Sequence, residues 1–396
     1  MANCPTITPM SRRWIQLATF AAYLPSAALP VLAERADAPG GPLDPSVLVV
    51  PFCLAFAAGF ALWGRVADRV AAERVIVLAL GLAAVSGAMV ALAPSEPALI
   101  VARALQGAAT AGVPPAAQAA LARSRTEHET GRALSPMMLA VAFAVLTGPA
   151  IAQLLGDAAG WTVTALVVSC LLPLLLAATA ARAALIARGG GPRRTAGTAP
   201  YAHPRGVYAG WIVSACVLAG HWTVLTRIAE AVGADGLGHG HDWTGLAPLT
   251  GALGLPLVVL AARAGDRAGP RAPMVATLIA GALGFALAAT ASTLALFVAA
   301  AGVGLAVYWA YLPVVAMQVQ RSAGEAARGR AAGGLYASMW CAAAGAGALA
   351  SLAPSWRVVL AGAGLSWTIG AIVAGRAFIG EPAAARAEVA AAPATA

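Results

Sequence analysis

Ionisable residues are scarce in this chain, and their positions narrow the chemistry they could do. Asp68 lies in an arginine-rich turn, Gly64-Arg65-Val66-Ala67-Asp68-Arg69, that runs on to Arg74. Asp266 lies in a second one, Arg263-Ala264-Gly265-Asp266-Arg267-Ala268-Gly269-Pro270-Arg271. The two aspartates are 198 positions apart in a chain of 396. A carboxylate in such a turn can meet an arginine or the positive end of a helix. Arg103 and Gln106 stand inside an apolar run. An arginine there costs about 2.5–3.5 kcal/mol on insertion scales, so it pairs, lines water or snorkels to an interface.

His221, within Gly220-His221-Trp222-Thr223, is the one group inside an apolar segment that titrates near neutrality. It can carry a proton or serve as a hydrogen-bonded packing residue. Asp and Glu are missing from the middle of every apolar segment, since Glu34, Asp157 and Glu230 all stand at segment ends. Trp222, Tyr308, Trp309, Tyr311 and Trp340 could present ring faces to an apolar or cationic compound, although bundle packing uses the same residues. Gly238-His239-Gly240-His241-Asp242 has metal-ligating residue types, but in so glycine-rich a stretch it reads as a mobile loop with exposed histidines. The five cysteines (Cys4, Cys53, Cys170, Cys216, Cys341) are scattered, with no metal or disulfide spacing. No phosphate-cradling loop or nucleophile–base arrangement is found, so neither an enzyme nor a bound cofactor or metal is expected.

The elements that position these residues are apolar. The chain is 60% hydrophobic and 10% charged, against about 25% charged in a soluble domain. Runs such as Val75–Ala93 and Met274–Thr290 suit lipid, where a helix satisfies its own backbone. Twelve segments of roughly spanning length can be drawn, at 14–33, 47–66, 75–93, 98–120, 134–155, 162–185, 208–228, 245–262, 274–292, 294–317, 333–353 and 357–378. Every basic residue is an arginine, and the connections after even-numbered spans hold nearly all of them: Arg65, Arg69 and Arg74; Arg123, Arg125 and Arg132; Arg188, Arg193, Arg194 and Arg205; Arg263, Arg267 and Arg271; Arg321, Arg328 and Arg330. The opposite loops hold Arg35, Arg227 and Arg357. Positive-inside then puts both termini and these turns in the cytoplasm, with Trp161, Trp243 and Trp356 at outer span ends. The formal charge of +9 therefore reports topology and not nucleic-acid binding. Arg12-Arg13 before the first segment mimics a secretory signal but reads as the start of a first span.

The two halves repeat each other. Gly131-Arg132-Ala133 before span five and Gly329-Arg330-Ala331 before span eleven are again 198 apart. Pro114 has a near match in Pro313, and Gly160-Trp161 one in Ser355-Trp356. The expected fold is an all-α membrane protein of twelve transmembrane helices in two pseudo-symmetric halves. The N-terminal half is 1–186, a Gly-, Pro- and Arg-rich cytoplasmic linker 187–206, the C-terminal half 207–380 and a low-complexity tail 381–396. Paired halves around a central site are a transporter architecture.

Over essentially its whole length the chain resembles the major facilitator superfamily, most closely its twelve-span drug and sugar efflux proton antiporters. The first turn resembles the superfamily's loop 2–3 pattern, Gly-x-Leu-Ala-Asp-Arg-x-Gly-Arg-Arg. Gly64, Ala67, Asp68 and Arg69 match, Ala71, Ala72 and Glu73 replace the later residues, and Arg74 follows one step on. The second copy keeps Asp266, Arg267, Gly269 and Arg271. The resemblance implies a cytoplasmic latch between the halves that holds one of two conformations; a plain positive-inside hairpin is the alternative. Arg103-Ala104-Leu105-Gln106-Gly107 is similar to the Arg-x-x-Gln-Gly signature of proton-coupled members. Ala144 to Gln153, containing Gly148-Pro149, resembles the Gly-x-x-x-Gly-Pro-x-x-Gly-Gly signature of export by antiport, with Ala144, Ala152 and Gln153 in place of glycines. Small residues there permit close packing, and Gly-Pro makes a pliable point.

What this implies is a monomeric secondary transporter in the cytoplasmic membrane, exporting a small drug-like or sugar-like compound against protons by alternating access. Its partners would be that small molecule, protons and lipid. The absent mid-span carboxylate keeps open uptake or facilitated diffusion of a small metabolite without proton coupling. A non-transporting membrane protein would need convergent groups at one face, which the sequence lacks.

Overall fold

The computed structural model describes residues 9–33, 37–39, 41, 43–123, 129–186, 200–233, 236–239 and 247–377. Outside the described residues lie Cys4, Glu34, Arg35, Arg125, positions 187–199 of the expected linker (with Arg188, Arg193 and Arg194), His241, Asp242, Trp243 and the 381–396 tail.

Among the described residues the chain is all-helical. The first three spans are α1 (Pro9–Ala28), α2 (Pro45–Arg69) and α3 (Ala72–Ala91). Span four is two helices, α4 (Glu96–Thr110) and α5 (Val113–Arg123). Pro114 and Pro115 explain the break: neither has an N–H, and their rings collide with the carbonyls of Thr110 and Ala111. Its sequence match Pro313 sits inside an unbroken helix, so this repeat is not a structural one. Spans five and six are α6 (Thr130–Leu166), a π-turn at Val167–Leu171 and α7 (Leu172–Ile186). The boundary between them is Gly160, whose φ of 76° and ψ of −175° interrupt α6. Span seven is α8 (Pro204–Val232), and span eight is a 3-10 stretch, Ala247–Gly254, leading into α9 (Leu255–Ala268). The last four are α10 (Arg271–Ala289), α11 (Leu294–Ala323), α12 (Arg328–Ser351) and α13 (Trp356–Ala377). The uncharged boundary between spans nine and ten is a real break: Thr293 caps α11 by accepting the Leu296 N–H at 3.3 Å.

Among the described residues eight helical stretches are long and apolar enough by themselves to cross a bilayer, one of them being the pair joined at Gly160. The packing is that of a membrane bundle. Leu62, Leu175, Leu253, Leu283 and Leu352 are exposed, whereas alanines fill much of the interior. Lipid removes the penalty for exposed leucine, and small residues let helices approach closely. Within the first six spans α1 packs on α6, α2 on α4, and α3 on α4 and α7; within the last six α8 packs on α12 and α13, and α10 on α11 and α13. The two most extensive contacts joining the sets are α2 with α12 and α6 with α9, and smaller ones join α5 with α12 and α6 with α11.

Candidate functional site

The two larger joining contacts end at the arginine-rich face in the same arrangement. The Asp68 carboxylate, at the end of α2, accepts the backbone N–H groups of Gly329 at 2.6 Å and Arg330 at 3.0 Å. These belong to the first turn of α12, where N–H groups have no partner inside the helix. The Asp266 carboxylate, near the end of α9, accepts the N–H groups of Gly131 at 2.8 Å and Arg132 at 2.9 Å, in the first turn of α6. Each carboxylate thus caps a helix of the other set. Each pair is charge-assisted and aligned with the helix dipole.

Glycine permits the approach. A Cβ on Gly64 would lie 2.7 Å from the Gly329 carbonyl oxygen and 2.9 Å from the Gly333 Cα. On Gly131 it would lie 2.6 Å from the Ala262 carbonyl oxygen. A Cβ on Gly329 would be equally tight, 2.7 Å from the Gly64 carbonyl oxygen, so the first latch has glycine on both helices where the second, with Ala262 in place of Gly64, has it on one.

Both carboxylates are thus seated on helix N-termini. Arg69, Arg74, Arg267 and Arg271 are exposed, and of the two kinds of donor the sequence offers, the helix N-terminus binds each carboxylate. Arg321 lies 3.7 Å from Asp266. Arg330 lies over the Tyr201 ring at 4.7 Å. Tyr201 is held in place because His203 and Ala202 donate their N–H groups to the Ser322 and Ala323 carbonyls at 2.8 and 3.2 Å. Burial raises the Tyr201 phenol above its ordinary pKa, and the Arg330 guanidinium offsets part of the rise.

At the opposite face carboxylates also cap helices, but within one set of spans. Asp37 accepts the Trp161 N–H at 2.6 Å, tying the chain after α1 to the start of span six. Glu230 accepts the Trp356 N–H at 3.3 Å and pairs with Arg227 at 2.9 Å, while Arg227 donates to the Ala353 carbonyl at 2.6 Å. The sequence signal for these was the paired tryptophans at span starts; nothing in it pointed to Asp37.

Arg103 is fully buried and does not snorkel. Its Nε donates to the Leu48 carbonyl of α2 at 3.0 Å, Nη1 to the Gln106 side-chain oxygen, and the guanidinium covers the Phe52 ring at 4.5 Å. Its Nη2 and the Gln106 amide nitrogen have no partner. Arginine and glutamine therefore fasten α4 to α2. Arg103→Ala strips Gln106 of its donor and opens a hole, at about 1–3 kcal/mol for the unmet group alone. The expected result is a lower unfolding temperature in detergent, only partly restored by Arg103→Lys, which lacks the planar fork. An unchanged temperature would mean these contacts do not hold the two helices together.

In span five, Gly148 faces α1, where a Cβ would lie 2.9 Å from the Ala27 Cβ; Ala144 and Ala152 are fully buried. The helix runs regularly through Gly148-Pro149, so the expected pliable point is not bent here. Gln153 is exposed, one position round the helix from Ala152. His221 is buried and stacks on Tyr308 at 3.9 Å, with Trp309 edge-on at 6.5 Å. Trp222 meets Trp340 at 5.7 Å. Tyr311 is wholly buried and hydrogen-bonded to Ser214 at 2.6 Å, a tie between α8 and α11. Three rings absent from the sequence-based candidates join this cluster: Phe60 stacks on Tyr336 at 5.0 Å, and Phe56 meets Trp340 at 5.2 Å. Their signal was the four-residue spacing of Phe52, Phe56 and Phe60, one face of α2.

The fold has counterparts among solved structures. The proton:xylose symporter XylE bound to 6-bromo-6-deoxy-D-glucose superposes with a TM-score of 0.72 at 15% identity, over 92% of this chain and 95% of that one. The human organic anion transporter MFSD10 gives 0.70 at 16% identity, over 93% and 100%. FucP in its outward conformation gives 0.70 at 11% identity, over 93% and 99%. No curated protein matches the chain. At such identities the structures speak for the fold alone. The family model described as Major Facilitator Superfamily, however, matches residues 16–348, and with that match over most of its length the chain belongs to the major facilitator superfamily of multi-pass small-molecule transporters.

Proposed function

We propose that this transporter exports a small organic compound, drug-like or sugar-like, across the cytoplasmic membrane by alternating access, in exchange for protons. The observation that carries the alternating-access part is the pair of cross-set caps at Asp68 and Asp266. Both sit at one face, and breaking them frees that face to part. The caps at Asp37 and Glu230 hold each set together while it moves. The positive-inside count puts the latched face and both termini in the cytoplasm. In this reading residues 1–186 and 207–380 are the moving halves and 187–206 the linker. Export and proton exchange are supported by the likeness of the Arg103–Gln106 and Gly148-Pro149 stretches to antiporter signatures.

The second reading is uptake or facilitated diffusion without protons. It is favoured by one observation: among the described residues no carboxylate lies mid-span, and His221, the remaining proton carrier, is enclosed by rings. Uptake of a substrate into inverted, energised vesicles with and without a proton uncoupler separates the two. The export reading expects accumulation that collapses on adding the uncoupler. Uncoupler-insensitive movement would sink proton exchange and leave the second reading.

A further inference from the structure

The ring cluster between the two sets of spans is more selective than an aromatic lining in general. Phe60 and Phe56 of α2 face Tyr336 and Trp340 of α12, and Tyr23 of α1 meets Phe56 edge-on at 5.7 Å. On the α8–α11 side His221 and Tyr308 stack. Parting α2 from α12 exposes ring faces on both sides of the gap. Two buried polar atoms in the cluster have no hydrogen-bond partner, His221 Nδ1 and the Tyr336 hydroxyl; the two residues are 6% and 4% exposed. Buried polar groups are usually paired, and a site that must receive a ligand is where they are left open.

Charge is missing from the cluster. Among the described residues no cation lies over the rings of Phe56, Phe60, His221, Tyr308, Tyr336 or Trp340, and none of these residues is charged. The Arg103 guanidinium covers Phe52, the ring next to Phe56, and is turned into the α2–α4 contact. A cation would find ring faces here but no counter-charge to offset its lost hydration, and an anion would find neither. A sugar presents hydroxyls all round, and two open polar atoms among ring faces would leave most of them unmet.

We infer that this cluster is the substrate site and that it takes an uncharged, flat aromatic compound bearing one or two hydrogen-bonding groups. The inference rests on the transport reading above and narrows its substrate to the drug-like side.

The test is binding to the purified full-length protein in nanodiscs by equilibrium dialysis, against protein-free nanodiscs. The probes are phenanthridine, its N-methyl cation, phenanthrene-9-carboxylate and methyl glucoside. Phenanthridine is expected to bind about tenfold or more tighter than either ion, with no binding of the glucoside. Tyr336→Phe, which keeps the ring, is expected to weaken phenanthridine several-fold, and Trp340→Ala to abolish its binding, at unchanged unfolding temperature for Tyr336→Phe. No binding of phenanthridine, equal or tighter binding of an ion or the glucoside, or no effect of either variant overturns the inference. Binding is read without a gradient, so a transporter that proves to be uncoupled or inward-directed still passes this test, and a failed export reading is told apart from a failed site.

Discussion

Replacing Asp68 by Ala is expected to open the arginine-rich face and to stop transport while leaving the protein folded and inserted. The carboxylate accepts two N–H groups from the first turn of α12, a contact between the two sets of spans. A hydrogen bond to a charged group is worth about 1.5–3 kcal/mol net, so losing one shifts the closed-to-open ratio roughly 10- to 150-fold. Asp68→Asn keeps one acceptor oxygen and should shift it less. Asp266→Ala removes the mirrored pair on α6. The two caps share no residue, so their effects should add in free energy in the double variant. Spin labels at Arg65→Cys and Arg263→Cys, both exposed positions beside the two caps, would report the change as a longer inter-label distance. A double variant with wild-type distances and wild-type transport would remove the latch from the mechanism.

Gly333→Leu should have a comparable effect by a different route. A Cβ there would lie 2.9 Å from the Gly64 Cα and within contact distance of the Phe60 carbonyl oxygen. Both are backbone atoms of α2 and cannot turn aside as a side chain could. Overpacking typically costs about 1–3 kcal/mol even where side chains can adjust, so α2 and α12 separate instead. Separation breaks the Asp68 cap and the Phe60–Tyr336 stack together. Gly345 of the same helix has nothing within 4 Å of its Cβ direction, so Gly345→Leu is the matched control and should transport normally. The comparison is initial transport rate at equal amounts of inserted protein. Equal rates for the two variants would show that closure of this contact is dispensable.

Both predictions use residues whose positions were legible in the sequence but whose partners were not. Positions of spans follow from hydropathy, because the cost of charge in lipid is local to each segment. The arginine-rich face follows from counting, and the repeat of Asp68 and Gly131-Arg132 as Asp266 and Gly329-Arg330 follows from spacing. Helix rotation is a different matter. An Ala- and Gly-rich span carries little amphipathic signal, so which side of α2 meets α12 is set by where glycine lets two backbones approach. That is why the sequence does not single out Phe56, Phe60 and Tyr336, and why it does not show the tie between Tyr311 and Ser214.

Arg103 shows the same limit in one residue. The sequence by itself determined that a guanidinium lies within an apolar span and must be satisfied somehow. Whether it reaches out to the interface or inward depended on a carbonyl of another helix, that of Leu48, 55 residues away. The latches are the larger case. Asp68 could meet an arginine or a helix end on sequence grounds alone, and arginines surround it. Tertiary structure supplied the N–H groups of residues 261 and 262 positions distant, because the close α2–α12 approach aims that helix end at the carboxylate.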